Sequence, residues 1–141
     1  MTARSRLAAD LIVLDEIARF LAVGFAGFVL NVIILWVLHS HLGMNLTLAE
    51  IVGAVAAIQL SFVLHNNWTY RTFHQQAVLP RLITFNIVAS FGAALNLVIL
   101  LWLVDAYQMQ YLWALAIGGA VSLIWNFLLN RLVIWRHPKS K

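Results

Sequence analysis

The stretch FLAVGFAGFVLNVIILWVL, Phe20 to Leu38, decides how this chain is read. It holds no charged residue, and its strongly polar side chain is Asn31. As a helix its 19 residues would measure about 28 Å, close to the roughly 30 Å hydrocarbon core of a bilayer. A related stretch returns 65 residues later as FNIVASFGAALNLVILLWL, Phe85 to Leu103. Phe20 meets Phe85, Val23 meets Val88, Gly27 meets Gly92, Leu30 meets Leu95 and Asn31 meets Asn96. The same offset pairs Ala49 with Ala114, Gly53 with Gly118, Phe62 with Phe127, Leu64 with Leu129 and Arg71 with Arg136. Leucine matches arise easily between apolar helices. Asn, Gly and Arg matches at one ungapped offset carry more information. The reading is a helical hairpin used twice, over about 19–71 and 84–136. Each unit crosses twice, so both enter from the same side, as a parallel repeat.

Composition agrees. Of 141 residues, 63% are hydrophobic and 10% charged, with a mean hydropathy of +0.90. A soluble domain is about 45–50% apolar and about 25% charged, and one this small could not hide so much apolar surface. The expected fold class is an all-α integral membrane protein, with residues 1–141 as a single transmembrane domain of four transmembrane helices. The apolar runs are Phe20–Leu38, Leu46–Leu64, Leu82–Val104 and Tyr111–Ile134. Four spans take about 80 residues, which leaves tails and short loops and no room for a soluble catalytic domain within this sequence. The absence of cysteine excludes disulfides and zinc–thiolate sites.

Residues before the first span do not read as a secretory signal, because Asp10, Asp15 and Glu16 interrupt them. Leu7, Leu11 and Leu14 recur at helical spacing, so 1–18 is expected to be a short amphipathic helix on the cytoplasmic membrane surface. A flexible charged tail is the alternative.

All nine Lys and Arg residues fall on one side of the expected bilayer. Arg4, Arg6 and Arg19 precede the first span, Arg71 and Arg81 flank the middle loop, and Arg131, Arg136, Lys139 and Lys141 end the chain. The positive-inside rule then puts both termini and the middle loop in the cytoplasm. Topology and anionic lipid account for the net charge of +4, with no nucleic acid needed. Trp36, Trp102, Trp113, Tyr107 and Tyr111 fall near the outer interface, and Trp68, Tyr70 and Trp135 near the inner one; Trp125 sits deeper.

Each span carries one stripe of small and polar residues. The first has Phe20, Gly24, Gly27 and Asn31; the third has Phe85, Ala89, Gly92 and Asn96. The second has Glu50, Ala54, Ala57, Ser61 and His65; the fourth has Gly119, Ser122, Asn126 and Asn130. Small residues let helix backbones approach, and amides bond across the interface. That packing role stands beside a role in a substrate path for Asn31, Asn96, Ser61 and Asn126. Glu50 is the one acid expected inside a span; it would carry a proton, meet a sugar hydroxyl, or sit near the start of the second helix. Gln59 lies off that face with no evident partner. His39 and His41 read as solvated loop residues.

The strongest polar set lies at the basic end of the second and fourth spans: His65, Asn66 and Arg71, then Asn130, Arg131 and Arg136. There, Arg and amide donors could grip a lipid phosphate. Ordinary anchoring by snorkelling Arg side chains is the competing reading, and for Arg81 or Arg136 alone the stronger one. There is no metal site to expect, and no HExxH, glycine-rich phosphate loop or serine elbow to suggest an enzyme.

The segments Arg19 to Gly24, Ser61 to Arg71, Asn126 to Arg131 and Val133 to Arg136 resemble the GtrA-like family of small four-span membrane proteins. The resemblance covers about 19–136, and the Phe127-Leu128-Leu129-Asn130-Arg131 ending is its most specific piece. One departure is His65, where the family pattern usually has Asn; it adds a side chain of the type that titrates near neutral pH. The resemblance implies translocation of a polyprenyl-phosphate-linked sugar, such as undecaprenyl-phosphate glucose, across the cytoplasmic membrane, without a cofactor. Its alternative is a non-transporting anchor that recruits a glycosyltransferase through the loop Asn67 to Arg81 and the tails. Four spans make a thin wall around a head-group path, so a homodimer with both copies in one orientation is open too.

Overall fold

A computed structural model describes residues 3–69 and 78–129, with α1 side chains described from Leu14 onward, Glu16 excepted. Helix α1 runs Ala3–Leu35, α2 Leu46–Leu64, α3 Val78–Tyr107 and α4 Tyr111–Leu129. All four helices have stretches long and apolar enough to cross a membrane, at Ile17–His41, Leu46–Thr69, Val78–Tyr107 and Tyr111–Leu129. The protein is an all-α membrane protein. Arg71, Asn130, Arg131 and Arg136, four of the six expected head-group residues, lie outside the described residues.

Local chemistry sets the helix ends. Asn45 opens α2 by accepting hydrogen bonds from the amides of Thr47 (2.9 Å) and Leu48 (3.4 Å). Gln110 does the same for α4, with Oε1 accepting from Leu112 (3.2 Å) and Trp113 (3.3 Å). Pro80 falls in the first turn of α3, where a missing amide donor costs nothing. The turns that follow α1 and α2 widen to π geometry at Trp36–His41 and His65–Thr69. His39 and His41 therefore belong to a helical turn rather than to a solvated loop. His39 Nδ1 is 2.8 Å from the Met44 carbonyl, and the His41 ring meets Trp36 edge to face.

The segment ahead of the first span differs from expectation. It is not a separate short helix: α1 continues through it unbroken, and its 33 residues make about 50 Å of helix. No Pro or Gly interrupts it between Ala3 and Ile17, so nothing local would break it. Arg19 bridges Asp15 one turn earlier at 2.9 Å.

Helix α1 packs mainly on α2, and α3 mainly on α4. A shorter α2–α3 seam joins the two hairpins, while α1 and α4 touch sparsely. Two apolar clusters close the bundle. Phe62, Phe85, Val88 and Ala89 form one toward the basic end, and Leu35, Ala49, Leu100, Leu103, Ala114 and Leu115 form the other toward the histidine-bearing turn. The outer surface stays apolar on all four helices, with Phe25, Val55, Phe91, Val98 and Ile124 exposed. In water such a surface would aggregate; in a bilayer it faces lipid. Trp36, Trp102, Tyr107, Trp113 and Trp68 are also exposed toward the helix ends, where interfacial aromatics belong.

Candidate functional site

The small-residue stripes converge on one cavity of about 520 Å³ between the apolar clusters. α1 contributes Phe20, Gly24, Gly27 and Asn31; α2 contributes Ala54, Ala57, Ser61 and His65. α3 adds Phe85, Ala89 and Asn96, and α4 adds Gly119, Ser122 and Asn126. Leu21 and Phe25 of α1 and Ala120 of α4 also line it and are exposed, so the cavity opens sideways where α1 and α4 barely touch. One turn beyond Asn31 and Asn96, the fully covered Leu35 and Leu100 close that end.

Glycines let the helices come this close. A Cβ on Gly27 would lie 2.7 Å from Ser61 Oγ, and one on Gly92 would lie 2.5 Å from Asn126 Oδ1. Gly53 lies against Asn31 Oδ1 in the same manner, and Gly118 against Asn96 Oδ1. Ser122 Oγ donates to the Gly92 carbonyl at 2.6 Å, tying α4 to α3.

Glu50 lies behind Asn31 and Asn96 and lines a second, smaller cavity between α2 and α3. It is 1% exposed, which places it inside the bundle rather than in the interface. Its carboxylate accepts from Asn31 Nδ2 at 3.2 Å to each oxygen, and from Asn96 Nδ2 at 2.8 Å to Oε1. One acid on α2 thus holds an amide from α1 and an amide from α3, across the seam between the hairpins. Sequence reading named all three residues but not their meeting. The signal that could have found it is the matched offset of Asn31/Asn96 and Gly53/Gly118, with a single acid between them.

His65 lies at the other end of the cavity, about 22 Å along α2 from Glu50 at 1.5 Å per residue. It is buried, with Nδ1 3.0 Å from Thr69 Oγ1. Its ring stacks on Phe20 at 4.8 Å, and Phe20 meets Phe127 at 5.1 Å. Asn66 is half-buried and donates to Asn67 Oδ1 at 3.0 Å. Two further features were not foreseen. Arg81 is covered by the rest of the chain rather than snorkelling outward, one turn before Phe85. Gln59 does have a partner: its Nε2 donates to Asn86 Oδ1 at 2.6 Å on the exposed side of the α2–α3 seam. No group of metal-ligating side chains occurs among the described residues.

Comparison with known proteins gives two findings. The family described as GtrA/DPMS, transmembrane domain, matches residues 19–135. A dolichol-phosphate mannosyltransferase of Pyrococcus furiosus is 30% identical over 122 residues, 86% of this chain. The chain spans 34% of the length of that relative.

Proposed function

The chain belongs to the GtrA/DPMS transmembrane-domain family, and on that premise we propose that it moves a polyprenyl-phosphate-linked sugar across the cytoplasmic membrane for cell-surface polysaccharide glycosylation. Undecaprenyl-phosphate glucose is the type of cargo meant. The observation that carries this reading is the side-opening cavity with polar groups at both ends. A polar head entering hydrocarbon pays a desolvation penalty unless protein groups replace its water. The gap between α1 and α4 would admit the head while the isoprenoid chain stays in lipid. Both termini and the middle loop lie on the cytoplasmic side in this reading, since all nine basic residues fall there. The phosphate would meet His65, Asn66, Arg71, Asn130, Arg131 and Arg136 at that face. We take the two hairpins to be a duplicated unit, which the paired contacts Gly27/Ser61 with Gly92/Asn126 and Gly53/Asn31 with Gly118/Asn96 support.

Reconstitution tests the reading. Liposomes holding the purified protein and a polyprenyl-phosphate hexose should expose the internal sugar to an external, impermeant periodate probe faster than empty liposomes. Filling the cavity by Ala57→Trp should abolish the gain. An unchanged rate with folded wild-type protein refutes translocation.

The Pyrococcus relative favours a second reading. Its name is that of an enzyme, and about two-thirds of its length lies outside the match. In this alternative the chain carries no chemistry itself and recruits a polyprenyl-phosphate glycosyltransferase as a membrane anchor, docking it on the loop 67–81 and the tails. A glycosyltransferase that co-purifies with the chain, and is lost when the loop is replaced, would support it.

A further inference from the structure

We propose that Glu50 is a proton-binding site: a proton taken up from the second cavity weakens the junction its carboxylate makes between the two hairpins and so makes the movement of cargo proton-dependent. The effect on cargo rests on the transport reading; proton uptake by Glu50 does not, and is measured separately.

The cavity that Glu50 lines measures about 230 Å³. Ile51, Val55, Ser90 and Ala94 line it too and are exposed, so it opens along the α2–α3 seam. Ala54, Ile58 and Ala93 line both this cavity and the larger one, so the two share a wall. Glu50 is about 8 Å along the helix axis from the exposed Asn45 that opens α2. It therefore stands a short way from water, at the end of the bundle away from the basic residues.

No cation pairs with this carboxylate among the described residues, where the ion pair is Arg19 with Asp15. The titratable groups on the neighbouring elements stand elsewhere. On α1, Asp15 and Arg19 lie at least three turns before Asn31; on α3, Arg81 lies four turns before Asn96 and Asp105 more than two turns after it. His39, His41 and Tyr111 of α4 lie past the layer of Leu35 and Leu100. On α2 itself, His65 is four turns away. What meets the carboxylate is the Nδ2 groups of two neutral amides. A buried charge without a counter-ion is costly in hydrocarbon, and a bound proton removes that charge.

Proton uptake changes what the junction can bond. An ionised carboxylate only accepts, whereas a carboxylic acid has an O–H to donate. Asn31 and Asn96 both turn Nδ2 to Glu50, and their Oδ1 atoms are buried without a hydrogen-bond partner. A half-turn of either amide exchanges its two ends. Oδ1 would then stand where Nδ2 now is, 2.8 Å from Glu50 at Asn96 or 3.2 Å at Asn31. The acid O–H thus finds its acceptor within the same three side chains. Hydronium gives up the proton, one O–H bond forms on Glu50, and water leaves. The ionised form holds both amides by charge-assisted bonds, roughly twice as strong as the neutral bonds of the protonated form. One amide belongs to α1 and the other to α3, so proton uptake loosens the contact between the hairpins. Asn31 and Asn96 also line the larger cavity, so the change acts at its wall.

Packing alone does not require an acid here. The residue 65 positions after Glu50 is Leu115, and it is 0% exposed in the second hairpin. The fold fills the corresponding place with an apolar side chain.

The test uses the full chain in liposomes and has two readouts. Infrared spectra are taken from about pH 4 to about pH 9, the range in which carboxyl groups in proteins ionise. Isotope-labelled glutamate reports only Glu16 and Glu50, and Glu16→Gln leaves Glu50 as the one labelled signal without touching the bundle core. The protonated-carboxyl band of Glu50 should appear on acidification, together with a shift of the Asn side-chain amide bands. A carboxyl that stays in one state throughout overturns the proposal. So does a band that responds to added sodium or potassium at fixed pH and not to pH itself. The second readout is translocation of a polyprenyl-phosphate hexose in acid and in alkaline buffer. Wild-type protein should move it about tenfold faster in acid, of the order that weakening one charge-assisted bond gives. Glu50→Gln carries a donor and an acceptor at every pH, so its rate should match the acid wild-type rate in both buffers. His65 remains in that variant, and a pH dependence that survives Glu50→Gln overturns the coupling, as do equal wild-type rates in the two buffers. The wild-type comparison needs no variant to fold. No translocation in either buffer, with Glu50 still titrating, removes the transport reading and leaves proton uptake standing.

Discussion

Replacing Gly53 by alanine tests whether the Asn31–Glu50 contact depends on a bare helix surface. A Cβ at Gly53 would fall on Asn31 Oδ1 and lie 3.2 Å from both Asn31 Cγ and the Asn31 backbone oxygen. The amide can rotate, but the backbone oxygen can retreat only if α1 moves away from α2. Overpacking of this kind costs about 1–3 kcal/mol. A displaced amide also gives up its two 3.2 Å contacts with Glu50, at about 0.6 kcal/mol for an average interhelical bond in a membrane protein, so roughly 1 kcal/mol in all. Alanine returns about 1 kcal/mol through its better helix propensity. The net expectation is a destabilisation of about 1–3 kcal/mol. Thermal unfolding in detergent, followed by tryptophan fluorescence, should show Tm lowered by several degrees. Gly118→Ala should behave alike, because its Cβ would lie 3.0 Å from the Asn96 backbone oxygen. Gly119→Ala is the contrast: its Cβ meets only Phe28 ring atoms at 3.3 Å, and a ring can shift. If Gly53→Ala unfolds at or above the wild-type temperature while Gly119→Ala does not, the close-approach argument is wrong.

Three other expectations follow from particular contacts. Ser122→Ala removes the 2.6 Å bond to the Gly92 carbonyl and should cost about 0.5–1.5 kcal/mol, read in the same melting experiment. Gln59→Leu breaks the 2.6 Å bond to Asn86 on the exposed side of the seam; it should cost about 0.6 kcal/mol, the membrane average, and a large loss would mean that this pair does more than join α2 to α3. Because the chain has no cysteine, Ser40→Cys gives a single thiol on an exposed residue of the first connection. An impermeant maleimide should label it in intact cells, and labelling only after lysis would reverse the assigned orientation.

Much of the architecture was written in the sequence, because a bilayer leaves a chain few options. Backbone groups in hydrocarbon must be satisfied within the segment, so four apolar runs become four helices. Periodicity then sets the faces. The stripe from Phe20 through Gly24 and Gly27 to Asn31 needs only 3.6 residues per turn to become a cavity wall, and it is one. The inward placement of Asn31, Asn96, Ser61, Asn126 and His65, which line the cavity, was legible for the same reason. Polar side chains are scarce in such a chain, and hydrocarbon drives them inward.

Which polar groups meet was not legible. Periodicity fixes a residue's face on its own helix but neither the rotation nor the height of one helix against the next. Glu50 lies on α2, and only the packing of α1 and α3 around it brings Asn31 and Asn96 to the same carboxylate. Arg81 and Gln59 show the same limit: one was expected to reach outward and is covered, the other had no evident partner in the sequence and meets Asn86. By itself the sequence determined four spans, the faces they turn inward and the end that carries the charge, since these follow from solvent and helix geometry. Tertiary structure decided that the hairpins share one acid and leave their seam open between α1 and α4, because helix contacts depend on the fit of side chains across a gap that no single helix contains.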